Sequence, residues 1–334
     1  MSKSAVIGKN KANIRFNHID ILPIVCYTNY SIIGGGFMKY LSVKEVAVLW
    51  NTSERSVRNY CAAGRVSGAF LTGKTWNIPE NAEKPERSNK SKPTPQTLLD
   101  ILKEEKRGQV HGGIYHKTQI ELTYNSNHIE GSRLTHDQTR YIFETNTIGI
   151  TDEGVRVDDI IETTTHFRCI DEIIESAKSQ LSEKFIKNLH FILKTGTSDA
   201  KKDWFAVGDY KKLPNEVGGR ETTLPEDVSA EMKKLLADYN NKENIILEDI
   251  IEFHVRFERI HPFQDGNGRI GRLIMFKECL KHNIVPFIIE DKIKMFYYRG
   301  LKEWNQEKGY LIDTCLSAQD TFKNYLDYFR IQYN

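Results

Sequence analysis

The sequence predicts a mainly α-helical protein in two parts, a small N-terminal module and a larger helical body. Three observations predict it. Apolar residues recur at helical spacing from Thr97 to the C-terminus, a charged and proline-rich stretch over residues 81–96 precedes them, and charge divides at that stretch. Residues 1–95 carry 14 Lys/Arg against 6 Asp/Glu, or +8, while the remainder carries 33 against 39, or −6. A chain of 334 residues has room for two domains and a sizeable core. No apolar run approaches the ~20 residues of a membrane span, so no membrane partner is expected. The five cysteines (Cys26, Cys61, Cys169, Cys279, Cys315) are scattered without a Cys-x-x-Cys pair, which fits reduced thiols, a cytoplasmic location and no zinc site.

Residues 1–37 are expected to be a tail or an extension ahead of the natural start. Gly35-Gly36-Phe37-Met38 is what a purine-rich ribosome-binding site encodes when translated in frame, which places the start at Met38. From Leu41 the pattern sharpens. Ser42 can cap a helix carrying Val43, Val46 and Ala47, and Ser53 can cap a second that runs to Cys61 and stops at Gly64. Val66 to Ile78, broken by Gly68 and Gly73, reads as a short β wing. Residues 38–80 resemble the winged helix-turn-helix of the excisionase and MerR-like group. The resemblance implies double-stranded DNA as a partner, met by Arg55, Arg58 and Asn59 of the second helix and Lys74 of the wing. Gly68 to Thr75 also fits the P-loop pattern letter for letter. A P-loop must follow a buried strand and open a helix, and here a helix comes before and Trp76-Asn77-Ile78-Pro79 after, so the match is rejected.

Residues 81–96 bury almost nothing and read as a linker. Beyond them, helices are expected around Leu98–Leu102, Ile120–Tyr124, Val157–Ser176 (with a stripe of Ile160, Thr164, Phe167, Ile170 and Ile174), Leu181–Leu193, Leu247–Ile260, Lys294–Glu307 and Tyr310–Phe329. His254 lies on the apolar face of its helix and reads as a core histidine, and His128 as a packing or surface residue.

The chemistry is concentrated in His261-Pro-Phe-Gln-Asp265-Gly-Asn-Gly268-Arg269-Ile-Gly-Arg272. Gly266-Asn267-Gly268 lets backbone N–H groups converge, and the helical spacing that follows puts them at a helix N-terminus, which attracts phosphate. Arg269 and Arg272, three residues apart, are expected to point at one ligand. Asp265 is a hard oxygen ligand suited to Mg²⁺ beside phosphate, and His261 is able to take a proton at neutral pH. The stretch resembles the signature of the Fic family, His-x-Phe-x-Asp/Glu-Gly-Asn-Gly-Arg-x-x-Arg, at every fixed position. The resemblance covers residues 97–334. It implies a helical bundle with a β-hairpin flap that transfers AMP from ATP, with Mg²⁺, to a Ser, Thr or Tyr hydroxyl of a protein. On that reading His261 is the base, Phe263 a buried anchor and Asp265 the Mg²⁺ ligand. Gly266, Asn267 and Gly268 form the anion hole, and Arg269 and Arg272 reach the outer phosphates.

Two further segments join the resemblance. Ser126-Asn-His-Ile-Glu130-Gly131 fits the family's inhibitory motif, whose Glu130 would pair with Arg272 and exclude the γ-phosphate. Residues 206–222 resemble the flap that holds the target by strand addition, with Lys211 where the family commonly has Arg. The target is a protein, with the chain itself as one candidate, and homo-oligomers are compatible with the pattern. Three alternatives accompany this reading: removal of AMP with Glu130 positioning a water, a DNA-binding regulator whose body only senses nucleotide, and phosphotransfer with a reversed nucleotide. The last is disfavoured because Doc-type relatives have Lys where Gly268 stands.

Overall fold

A computed structural model describes residues 30–33, 36–85, 96–149 and 154–333. Most of the expected tail and linker thus lies outside the described residues. The chain divides into two compact units, residues 1–91 and 92–334.

In the first unit, β1 (Tyr30–Ile33) pairs antiparallel with β2 (Gly36–Leu41), and β2 runs through Met38. Ser42 and Glu45 then form a reciprocal capping box that opens α1 (Val43–Leu49), and the Ser53 hydroxyl accepts the Ser56 N–H to open α2 (Glu54–Ala62). Strands β3 (Phe70–Thr72) and β4 (Thr75–Pro79) form a hairpin, giving the sheet order β1-β2-β4-β3. Gly73 and Lys74 are its two-residue turn, with Gly73 at φ +62° as such turns require. The P-loop lookalike is therefore a hairpin, as its flanking residues indicate. Val46, Trp50, Val57, Cys61, Val66 and Ile78 make the core beneath it.

The second unit is helical: α3 (Leu98–Gly108), α4 (Ile114–Ile129), α5 (His136–Thr145), α6 (Val157–Glu175), α7 (Glu183–Lys194), α8 (Val228–Asn240), α9 (Leu247–Ile260), α10 (Asn267–Lys281), α11 (Lys294–Glu303) and α12 (Gly309–Tyr328). Strands β5 (Glu216–Val217) and β6 (Arg220–Glu221) form a short hairpin between α7 and α8, so only part of the 206–222 segment is strand. Helix α10 sits at the centre and is buried on almost every face, with α3, α4, α6, α7 and α9 packed around it. That all-round burial explains why its sequence has no polar side (Ile270, Leu273, Ile274, Phe276, Leu280). Helix α6 corrects one expectation. Thr164 faces solvent, and Thr163, His166 and Cys169 are buried instead, because this helix too is enclosed on a face wider than one stripe. No helix among the described residues is long and apolar enough to cross a membrane.

Candidate active site

The loop between α9 and α10 carries the chemistry, and its own side chains shape it. His261 ends α9 in the left-handed region (φ +49°), donating its N–H to Phe257 O at 2.9 Å. A non-glycine residue there costs conformational energy and turns the chain sharply. Phe263 is fully buried and stacks on His190 with centroids 4.0 Å apart. The Asn267 side chain closes the loop: its Oδ1 accepts Phe263 N–H and its Nδ2 donates to Phe263 O, each at 2.8 Å. That buried amide is spent on the loop, so only the Asn267 backbone N–H remains for an anion. Gly266 at φ +84° starts α10, whose first N–H groups lack intrahelical acceptors.

His261 Nδ1 lies 3.3 Å from the Glu258 carbonyl, and a proton held there leaves Nε2 as the acceptor. Burial, and then the Lys211 charge, push the ring down to about 4, so it is a neutral base at physiological pH.

The two signature arginines part company. Arg269 donates to Glu162 Oε2 at 2.6 Å and to Asp265 Oδ2 at 3.2 Å. Lys194, only 1% exposed, adds a second cation to the same carboxylates, 2.6 Å from Glu162, 2.7 Å from Asp265 and 3.2 Å from Asp199. Burial works to raise the Asp265 carboxyl, but Arg269 and Lys194 outweigh it and hold the group well below the usual carboxylate range. Arg272 instead reaches the end of α4. Its Nε donates to Ser126 Oγ and its Nη2 to Ser126 O, both at 3.0 Å, and Nη2 meets Glu130 Oε1 at 2.7 Å. Each guanidinium is thus held by its own carboxylate, Glu162 from α6 and Glu130 from the end of α4. Glu130 is the residue that ends α4, and Gly131 (φ +92°) turns the chain away. A methyl on Gly268 would overlap Glu130 Oε1, so this carboxylate rests against the first turn of α10, where an anion is favoured.

Glu130, Glu162, Lys194, Asp265 and Arg269 line a polar cleft of about 130 Å³. Among the described residues no group of three His, Cys, Asp or Glu side chains is arranged to hold a metal ion, and the carboxylates of Glu162, Asp199 and Asp265 converge on Lys194 instead. Mg²⁺ is usually held by one or two carboxylates together with substrate phosphates, and a half-exposed, ionised Asp265 fits that role.

The segment after α7 is tied to the loop. His190 Nδ1 accepts Gly208 N–H at 2.9 Å, which leaves its Nε2–H to donate to Asp265 O at 3.2 Å. Lys211 is 3% exposed; its Nζ donates to Asn215 Oδ1 (2.7 Å), Thr222 Oγ1 (2.6 Å) and Ile260 O (3.4 Å), and its N–H to Pro262 O (2.9 Å). Those bonds join both legs of the hairpin to the residues flanking His261. Burial pushes Lys211 down to about 8.

His254 is a core histidine as expected, paired through Nε2 with Tyr297 OH at 2.6 Å, and His128 stacks on Tyr124. In the first unit, Arg55, Arg58 and Asn59 are exposed on α2, with Arg58 paired to Glu54 at 2.7 Å, and Lys74 is exposed on the hairpin turn. Sequence reasoning missed Glu162, Lys194, His190 and Glu258. One signal was available: Glu258 shares a helix face with His254 (i, i+4) and with His261 (i, i+3).

The family model described as Fic/DOC family matches residues 180–279. The chain is 26% identical over 193 residues to a protein adenylyltransferase Fic from Aedes aegypti and 25% identical to one from Culex quinquefasciatus, in each case over 56% of this chain. It spans 37% of the length of those relatives. A crystal structure of a Fic domain containing signaling protein from Bacteroides thetaiotaomicron superposes with TM-score 0.52 at 27% identity, covering 69% of this chain and 90% of that one. Fic-1 from C. elegans shares the fold with TM-score 0.55 at 19% identity, over 70% of this chain and 72% of the other. Residues 180–279 are therefore similar to the Fic/DOC family, and the helical unit shares its fold with solved Fic structures.

Proposed function

We propose that this protein is a nucleotidyltransferase that moves AMP from ATP to a Ser, Thr or Tyr hydroxyl of a protein, and that Glu130 restrains it. The observation that carries the reading is the 2.7 Å pair between Arg272 and Glu130, whose carboxylate lies against Gly268 at the helix start. His261 Nε2 takes the proton of the attacking hydroxyl. The N–H groups at the start of α10 and the guanidinium of Arg272 bind the nucleotide's phosphates once Glu130 withdraws. Arg269 and Lys194 keep Asp265 ionised. A Mg²⁺ at Asp265 would offset charge on the phosphates. The hairpin, held by Lys211, lies where it can pair with a target strand. The relatives' names, protein adenylyltransferase, support the same reaction. The test is α-labelled ATP with Glu130→Gly protein and a cell lysate: label on protein, absent with His261→Ala, supports the reading, and no label on any protein contradicts it.

Two further readings follow from specific observations. Glu130 is a carboxylate at the phosphate position, able to orient water for removal of AMP, so Glu130→Gly should fail to clear AMP from a modified target that wild type clears. Exposed Arg55, Arg58, Asn59 and Lys74 suit a winged helix-turn-helix binding duplex DNA. A mobility shift of the full chain at low salt, weakened by Arg58→Ala, is expected, and no shift on any duplex would remove that reading.

A further inference from the structure

A second carboxyl stands beside the base. Glu258 Oε2 is 3.9 Å from His261 Nδ1, and Glu258 Oε1 is 4.0 Å from His254 Nδ1. Glu258 Oε1 and His254 Nδ1 are both buried and make no hydrogen bond. Gly271 leaves them this room, since a methyl there would overlap the His254 ring and touch Glu258 Oε1. His254 continues to Tyr297, so Tyr297, His254, Glu258 and His261 form a line of titratable groups through the core.

A bare carboxylate here would be costly. It has no cation within ion-pairing distance, because Arg272 is committed to Glu130 and Ser126. We propose that Glu258 is a positioning residue for His261: at neutral pH its carboxyl keeps its own proton and stands neutral beside an imidazole whose Nδ1–H faces the Glu258 carbonyl and whose Nε2 stays free. This rests on the reading of His261 as the base. The groups facing Glu258 agree with it. Glu130 from the end of α4 disfavours a second negative charge, Arg272 from α10 favours one, and Tyr297 and Tyr298 of α11 and His254 of α9 are neutral there. Burial first, and then Glu130, push Glu258 up to about 8, while His261 is pushed down to about 4. The consequence for the site is a single negative charge on Arg272, that of Glu130, which a nucleotide's phosphate can replace one for one. With Glu258 ionised, Arg272 would face two.

The experiment is an NMR titration of the histidine rings in the full-length, ¹⁵N-histidine-labelled chain between about pH 6 and 10. The His261 resonance, assigned by its loss in His261→Ala, should shift with a midpoint near 8 as Glu258 gives up its proton. That step should vanish in Glu258→Gln and move to lower pH in Glu130→Gln, which keeps Glu258 itself. A flat His261 resonance in wild type overturns the proposal. A step that survives in Glu258→Gln does so too, since it would then belong to Lys211. In the Glu130→Gly background, AMP transfer should fall above about pH 8 and Glu258→Gln should flatten that fall. The NMR step stands whether or not AMP transfer proves to be the reaction, so the two readings fail separately.

Discussion

Arg269 and Arg272 are three residues apart on one buried helix, yet they sit in unlike corners. The Arg269 corner is closed by the scaffold: Glu162 comes from the middle of α6, Asp265 from the loop, and Lys194 from the end of α7, with Lys194 and Arg269 nearly inaccessible. The Arg272 corner is closed by Glu130, the residue that caps the end of α4, whose side chain is 32% exposed and followed by a glycine turn. A carboxylate at a helix end can swing away at modest cost. The difference teaches where the proposed exchange with a phosphate would fall: on Arg272, whose one carboxylate partner ends a helix, rather than on Arg269, which is held by two carboxylates.

The largest expected effect lies at His261, the proposed base. His261→Ala should lower AMP transfer by roughly 10²- to 10⁴-fold while leaving ATP binding largely intact, as read by labelled transfer and calorimetry. Transfer at a near wild-type rate would remove His261 as the base. Next comes the closed corner. Lys194→Met strips one of the two cations from Glu162 and Asp265 and should destabilise the fold by about 3 kcal/mol in urea unfolding. A loss well under 1 kcal/mol would mean that this corner is no more structural than the other. The pH dependence of the fold follows from two buried histidines. His190 and His254 are pushed down to about 3, chiefly by burial. The unfolded chain therefore binds protons that the folded chain refuses. Stability should fall by up to about 1.4 kcal/mol per pH unit for each as pH drops below about 6.5, and be recovered above it. Ionised Asp265, whose folded value is depressed, adds a further loss below about pH 4. The smallest effect on stability belongs to the exchangeable corner: Glu130→Gly should cost about 1 kcal/mol or less, the scale of a partly exposed pair.

Much of the site is legible in the sequence because it is contiguous. His261, Asp265, Gly266, Gly268, Arg269 and Arg272 lie within one loop and the start of one helix, so their spacing alone predicts a phosphate site. Glu130 is legible only through a motif, since a glutamate at a helix end is common. The supporting shell is hidden for physical reasons. Lys194 reads as a cation placed to complement a helix C-terminus, Glu162 as a surface charge, and His190 as one more residue of an apolar helix. Their meaning comes from packing α6 and α7 against α10, which periodicity does not encode. Thr164 went astray for a related reason: a helix enclosed on a wide face does not obey a single stripe. Asn267 was read as an anion-site residue, and its side chain is turned inward to hold Phe263.

The central claim is that Glu130 and a phosphate compete for Arg272. The direct measurement is the initial rate of label transfer from α-labelled ATP, at saturating Mg²⁺ and ATP, for wild type, Glu130→Gly and the double variant Glu130→Gly/Arg272→Ala. Glu130→Gly should exceed wild type by at least ~10-fold, or about 1.4 kcal/mol of recovered transition-state stabilisation, and the added Arg272→Ala should abolish the gain. Equal rates for Glu130→Gly and wild type, or a gain that survives the loss of Arg272, would contradict it.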